Sequence, residues 1–140
     1  MARLNEAARA LIESGALGHL VTIEPDGAPQ VSAVWVGLAG DELVTAHLMA
    51  TQRKLANVRR DPRVAISFDG TGANAVGMQD HLVVHGLARL TAGGAPEFLH
   101  RLAQVYVGLG TTFPPMPDPP PGFVMHIAVT RVGGLGPWWD

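Results

Sequence analysis

Thr51-Gln52-Arg53-Lys54 is the stretch of this sequence best equipped for chemistry. Two cations stand beside two neutral hydrogen-bonding side chains, just ahead of Leu55 and Val58, which lie three apart as on one side of a short helix. Pro62 stops that helix. A helix start carries unpaired N–H groups and the positive end of the peptide dipole, so it favours an anion. Thr51 is placed to cap those N–H groups, while Gln52, Arg53 and Lys54 add side-chain donors. Together they make a cradle for a phosphate. The same residues also suit a solvated basic turn, and the local pattern leaves both readings open. Five of the ten lysines and arginines fall between Arg53 and Arg63, a concentration that fits one small anionic ligand better than a long polyanion.

Other chemistries find less support. The six histidines are His19, His47, His81, His85, His100 and His126, and no two share one helix at H-x-x-x-H spacing. His81 and His85 are four apart on an expected strand, which puts them on one face about 13 Å apart, too far to share a metal without other ligands. Ser14, Ser32 and Ser67 lack the glycine pattern of a nucleophile elbow. Asp26, Asp41 and Asp69 fall in turns, where aspartate needs no catalytic explanation. The chain has no cysteine, which removes disulfides, thiolate metal sites and thiol nucleophiles. Neither a catalytic side chain nor a metal site is predicted.

The elements that must carry the cradle follow from periodicity and turn chemistry. Leu4, Ala7, Ala8, Leu11 and Ile12 recur at helical spacing, and Gly15 ends that helix. Strands are expected over residues 18–24, 29–38 and 42–48, joined at Pro25-Asp26-Gly27 and Ala39-Gly40-Asp41 into a three-stranded meander. The short helix follows, then a strand over 64–68. Residues 69–80 are glycine-rich and read as a long loop. The next strand covers 81–90, with Gly86 marking a bulge or a close backbone approach. Pro96 opens a helix with Phe98, Leu99, Leu102, Val105 and Tyr106 on one face, ending near Gly108 or Gly110. Residues 113–122 hold six prolines and read as a stiff extended loop, suited to form a wall. A last strand spans 123–132 and a tail 133–140. Trp138 and Trp139 need something to pack on, and a tail after Gly133-Gly134 favours a partner subunit or a planar ligand over the chain's own core. Five or six sequential strands with two or three helices predict a single domain over 1–140, mainly β with flanking helices, in the form of a small antiparallel barrel.

Composition sets the surroundings. At 140 residues the chain is long enough to bury a continuous core. Its net charge of -2 gives no bulk attraction to nucleic acid or acidic membranes. No apolar run is long enough to cross a bilayer, and residues 1–10 lack the apolar block of a signal peptide. The expected location is cytoplasmic, with no nucleic-acid or membrane partner.

The run Arg53-Lys54-Leu55-Ala56-Asn57-Val58-Arg59-Arg60-Asp61-Pro62-Arg63-Val64, set after a strand hairpin and before another strand, resembles the pyridoxamine-phosphate-oxidase-like flavoproteins with a split β-barrel. The resemblance covers essentially the whole chain. The closing Arg131-Val132-Gly133-Gly134-Leu135-Gly136-Pro137-Trp138 and the Phe113-Pro114-Pro115-Met116-Pro117 loop look like the actinobacterial branch, similar to oxidoreductases that use the deazaflavin coenzyme F-420. That resemblance implies a homodimer with a cofactor in each groove between subunits. It implies that Arg53 and Lys54, with Thr51 and Gln52, hold the cofactor phosphate. By the same resemblance Ser32, Trp35 and His47 lie near the ring system, and Asn57 belongs to the binding motif. Strand alternation sends Val34 and Trp35 to opposite faces, so only one of them is expected to face a given ligand.

The activity so implied is hydride transfer from reduced coenzyme F-420 to a small planar, electron-poor substrate such as a quinone or conjugated enone. FMN in the same barrel is the nearest alternative, since both cofactors carry a ribityl phosphate. A cofactor-binding protein without turnover is another. An oligonucleotide-binding barrel needs a basic groove with stacking aromatics, whereas this chain is acidic overall and has few aromatics.

Overall fold

The computed structural model describes residues 2–140. Helix α1 (Glu6–Glu13) opens the fold, its N-terminus capped by Asn5, whose Oδ1 accepts from the Ala8 N–H at 2.9 Å. Strands β1 (Gly18–Ile23) and β2 (Pro29–Val34) form the first hairpin, and β3 (Gly37–Ala39) and β4 (Glu42–His47) a second. Helix α2 (Arg53–Arg60) leads into β5 (Arg63–Ala73) and β6 (Gln79–Ala92). Helix α3 (Ala95–Tyr106) and β7 (Phe123–Leu135) complete the chain.

All seven strands lie in one antiparallel sheet, in the order β2-β1-β5-β6-β7-β4-β3. Its outermost strands are consecutive in sequence, separated only by Trp35 and Val36. In a flat sheet β2 and β3 would stand about 29 Å apart, six spacings of 4.8 Å. Three Cα steps from Val34 to Gly37 reach about 11 Å at most. The sheet must therefore roll until its edges meet, which gives a barrel split along the β2–β3 seam. Inside it pack Leu20, Ile66, Phe68, Leu82, Val84, Met125 and Ile127, all buried. Leu11 and Ile12 from α1, and Leu55 and Val58 from α2, extend the same core. Gly86 allows both a register shift and a close approach, because a Cβ there would collide with the Ala128 carbonyl. No helix among the described residues is long and apolar enough to cross a membrane.

Four expectations need correction. Residues 29–38 are not one strand, and the three-stranded meander does not form: β2 and β4 lie at different ends of the sheet. The break falls where the Tyr106 hydroxyl, 70 residues away, accepts from the Val36 N–H at 2.9 Å and donates to the Ala16 carbonyl at 2.8 Å. A side chain thus satisfies backbone groups that a strand would pair. Residues 69–80 are not a long loop. The hairpin continues to Ala73, resumes at Gln79, and turns on Asn74, whose Oδ1 accepts from the Val76 and Met78 N–H groups. This end of the hairpin is largely exposed, so it carries no apolar alternation to read. The last strand likewise runs on to Leu135, where Leu135 pairs with His81. Trp138 does pack on its own chain. It is buried in the core cluster, and its Nε1–H donates to the His81 and Leu135 carbonyls at 2.8 and 3.0 Å. Trp139 is the exposed one of the pair.

Candidate functional site

The end of β2 with the crossover after it, the end of β4 and the start of α2 enclose a cleft of about 340 Å3. One side is polar, with His47 from the end of β4 and Gln52 and Lys54 from the start of α2. The apolar part of the lining comes from Val34, Trp35, Leu99 and Phe113. Val34 and Trp35 both line it, contrary to the alternation expected of one continuous strand, because β2 ends at Val34.

Lys54 sits in the first turn of α2, and its Nζ donates to the Ser32 hydroxyl at 3.2 Å. That contact places Ser32 at the cationic end of the cleft. Partial burial holds the Lys54 amine below its usual range. Among the described residues no carboxylate lies within 4.0 Å of it. A half-buried ammonium whose partner is a neutral hydroxyl favours an incoming anion. His47 is almost fully buried, and its Nε2 pairs with the Thr45 hydroxyl at 2.7 Å. Burial first, and then the Lys54 charge, push its imidazole down from 6.5 to about 4, with Gln52 opposing weakly. His47 is thus neutral at physiological pH, and the positive charge on this wall belongs to Lys54. Gln52 Oε1 is closed off from water and has no hydrogen bond of normal geometry. The His47 ring is the donor nearest to it but lies at poor geometry, so a ligand N–H or O–H fits this acceptor better.

The remaining motif residues point elsewhere. Thr51 does not cap α2: the N-cap is Gln52, without a side-chain bond, and Thr51 is exposed in the preceding turn. Arg53 leaves the cleft and meets Glu24 at 3.4 Å, beside a separate surface depression lined by Pro25, Asp26 and Gln30. Asn57 is buried, with its Nδ2 donating to the Thr22 hydroxyl at 3.0 Å and to Glu24 at 3.4 Å, and so ties α2 to β1. Arg60 donates to the Ile23 carbonyl, and Arg59 lies over the Phe123 ring at 4.9 Å. The structure therefore gathers Ser32, Trp35, His47, Gln52 and Lys54 at the cleft, and leaves Thr51, Arg53 and Asn57 around it. Leu99 and Met49 also line the cleft and carried no motif by which the sequence could single them out.

A barrel rolled until its edge strands meet, with a lysine–hydroxyl pair and an aromatic wall at the seam, defines the split-barrel class. The chain belongs to the pyridoxamine 5'-phosphate oxidase family, whose profile matches residues 4–136, and this family has a flavin-binding fold. Solved structures agree. An F-420 reductase is 27% identical with a TM-score of 0.72, over 92% of this chain and 98% of that one. A conserved hypothetical protein from Mycobacterium tuberculosis is 25% identical with a TM-score of 0.69, over 96% and 87%. HupZ of Group A Streptococcus shares the fold at 20% identity and a TM-score of 0.63, over 94% and 98%. None of the curated proteins compared matches this chain.

Proposed function

We propose that this protein is an oxidoreductase that binds coenzyme F-420 at the β2–β3 seam and serves a small planar, electron-poor substrate such as a quinone or conjugated enone. The observation that carries the reading is Lys54: a half-buried ammonium with the Ser32 hydroxyl as its one side-chain partner among the described residues, in a cleft also lined by Trp35 and Phe113. The likeness to an F-420 reductase supports the choice of cofactor. Lys54, Ser32 and Gln52 hold the cofactor at its phosphate end, and Thr51 and Arg53, which lie outside the cleft, reach the phosphate only if Arg53 leaves Glu24. The orphaned Gln52 Oε1 accepts from the cofactor. Trp35 and His47 flank the ring system, and Asn57 fixes α2 so that Lys54 stays in place. When bound and reduced, the deazaflavin supplies a hydride, and a proton from solvent completes two-electron reduction of a quinone to a hydroquinone. Neutral His47 adds no second positive charge beside the ring.

The same reading includes a homodimer. Val21, Ile23, Ala65 and His85 line one shallow surface of the sheet, where Val31 pairs across from Val21 and both Val31 and Leu87 are exposed. Arg63 borders this face and Arg131 bonds His85 at it, so a second copy would cover an apolar patch rimmed by cations.

FMN is the competing cofactor, since the family's flavin-binding fold and the lysine–hydroxyl pair suit it equally. Fluorescence titration of the purified protein with each cofactor tests the proposal. Tighter binding of F-420 is expected, and FMN binding at least as tightly would transfer the site to FMN.

A further inference from the structure

The apolar wall of the cleft is assembled from three separate segments, and one of them is held by polar bonds. Trp35, at the crossover, stacks on Tyr106 of α3 with centroids 5.5 Å apart and planes at 14°. It also meets Phe113 at 5.1 Å and 56°. Phe113 lies in neither helix nor strand and is only partly buried, yet its approach is fixed. Gln104 Oε1 accepts from the Gly110 N–H at 2.8 Å, and Gln104 Nε2 donates to the Thr111 carbonyl at 2.8 Å. The Thr111 hydroxyl donates to the Gly108 carbonyl at 2.6 Å, and the His100 Nδ1–H donates to the Phe113 carbonyl at 3.3 Å. The proline-rich segment that follows ends at Gly122, where a Cβ would collide with the His47 carbonyl. Residues 113–122 thus begin at one wall of the cleft and end against the other.

We infer that Phe113 is the specificity-determining wall for a flat substrate, and that Gln104 is the residue that positions it. The inference rests on the oxidoreductase reading above. Phe113 packs directly on Trp35 and lines the same cleft, so the two rings form one aromatic wall against which a planar molecule packs while a bulky one is refused. Gln104 makes no contact with the cleft itself. It acts by pinning Gly110 and Thr111, and so sets how far Phe113 reaches.

The test compares menadione, which is flat, with a di-tert-butyl benzoquinone, which is not, in wild type, Phe113→Ala, Phe113→Leu, Gln104→Ala and the Phe113→Ala/Gln104→Ala double variant. Loss of an aromatic contact predicts a rise in KM for menadione of about threefold to tenfold, at unchanged kcat, and a smaller preference over the bulky quinone. Because Gln104 acts through Phe113, the double variant should behave like Phe113→Ala alone rather than add to it. A second arm needs no turnover: menadione binding to cofactor-free protein, read by quenching of tryptophan emission, should weaken by the same factor. The cofactor dissociation constant, measured on wild type and Lys54→Ala, reports separately on the functional reading, which fails if Lys54→Ala leaves it unchanged. Absent quenching in wild type, or unchanged menadione binding in both Phe113 variants, overturns the wall. Additive effects in the double variant overturn the role of Gln104.

Discussion

At the cleft, Lys54 and His47 share one electrostatic environment and resolve it in opposite ways. Lys54 stays charged and lacks an anion; His47 gives up its proton. Lys54→Ala therefore removes a charge-assisted contact to the proposed phosphate, about 1.5–3 kcal/mol, and should weaken cofactor binding about tenfold to hundredfold. Cofactor titration measures this, and thermal unfolding without cofactor should show no loss, since the amine is already penalised by burial. Arg60→Ala should do the reverse, lowering Tm while leaving affinity nearly intact, because Arg60 bonds the Ile23 carbonyl. The opposite pattern would put the phosphate at the wrong end of α2. For His47 the sign follows from its lowered pKa. Between pH 6.5 and about 4 the unfolded chain takes a proton that the folded chain refuses. Stability from this group is therefore complete above pH 6.5, is lost as pH falls through that window, and levels off below about 4. The loss amounts to about 3–4 kcal/mol at most, at about 1.4 kcal/mol per pH unit. Urea unfolding across this range should show a shallower decline for His47→Gln than for wild type. Parallel declines would mean that the imidazole is not held neutral.

Elements were legible where their signals are local. Leu55, Val58 and Pro62 announce α2 and its end, and the turns at Asp26-Gly27 and Gly40-Asp41 mark the two hairpins. The phosphate-grade cations were visible, but only Lys54 faces the cleft, because helical rotation and the Glu24 carboxylate take Arg53 away. What stayed hidden depends on distant partners. The β2–β3 crossover rests on a hydroxyl at Tyr106, and the ends of the β5–β6 hairpin are exposed and carry no pattern. Trp138 is held by the His81 carbonyl, which no local signal near the tail reveals. Tyr106→Phe tests the crossover directly. The Trp35 stack would remain, but the Val36 N–H would lose its acceptor at a cost of about 1–3 kcal/mol. Denaturant unfolding should show that loss, and wild-type stability in this variant would mean that the crossover is held by packing alone.

For the whole molecule, the proposed dimer predicts sedimentation at about twice the 14.7 kDa chain mass at micromolar concentration. Val31→Glu combined with Leu87→Glu places charges on the exposed sheet face and should yield folded monomers with an unchanged circular dichroism spectrum, a lower Tm because the association free energy is lost, and much weaker cofactor binding. Monomers that bind cofactor as well as wild type would show that each cleft is complete alone. The strand order carries a different consequence, for the birth of the fold. Strand β4, buried along nearly its whole length, pairs with β3 on one side and β7 on the other, so Glu42 waits for Ala128. Meanwhile β1, β2, β5 and β6 have partners much closer in sequence. During synthesis the His47 side of the cleft is the last to take shape, and an apolar β3–β4 hairpin stands unpaired until then. An apolar hairpin that must wait for β7 is the segment of this fold most exposed to wrong pairing while the chain is still incomplete.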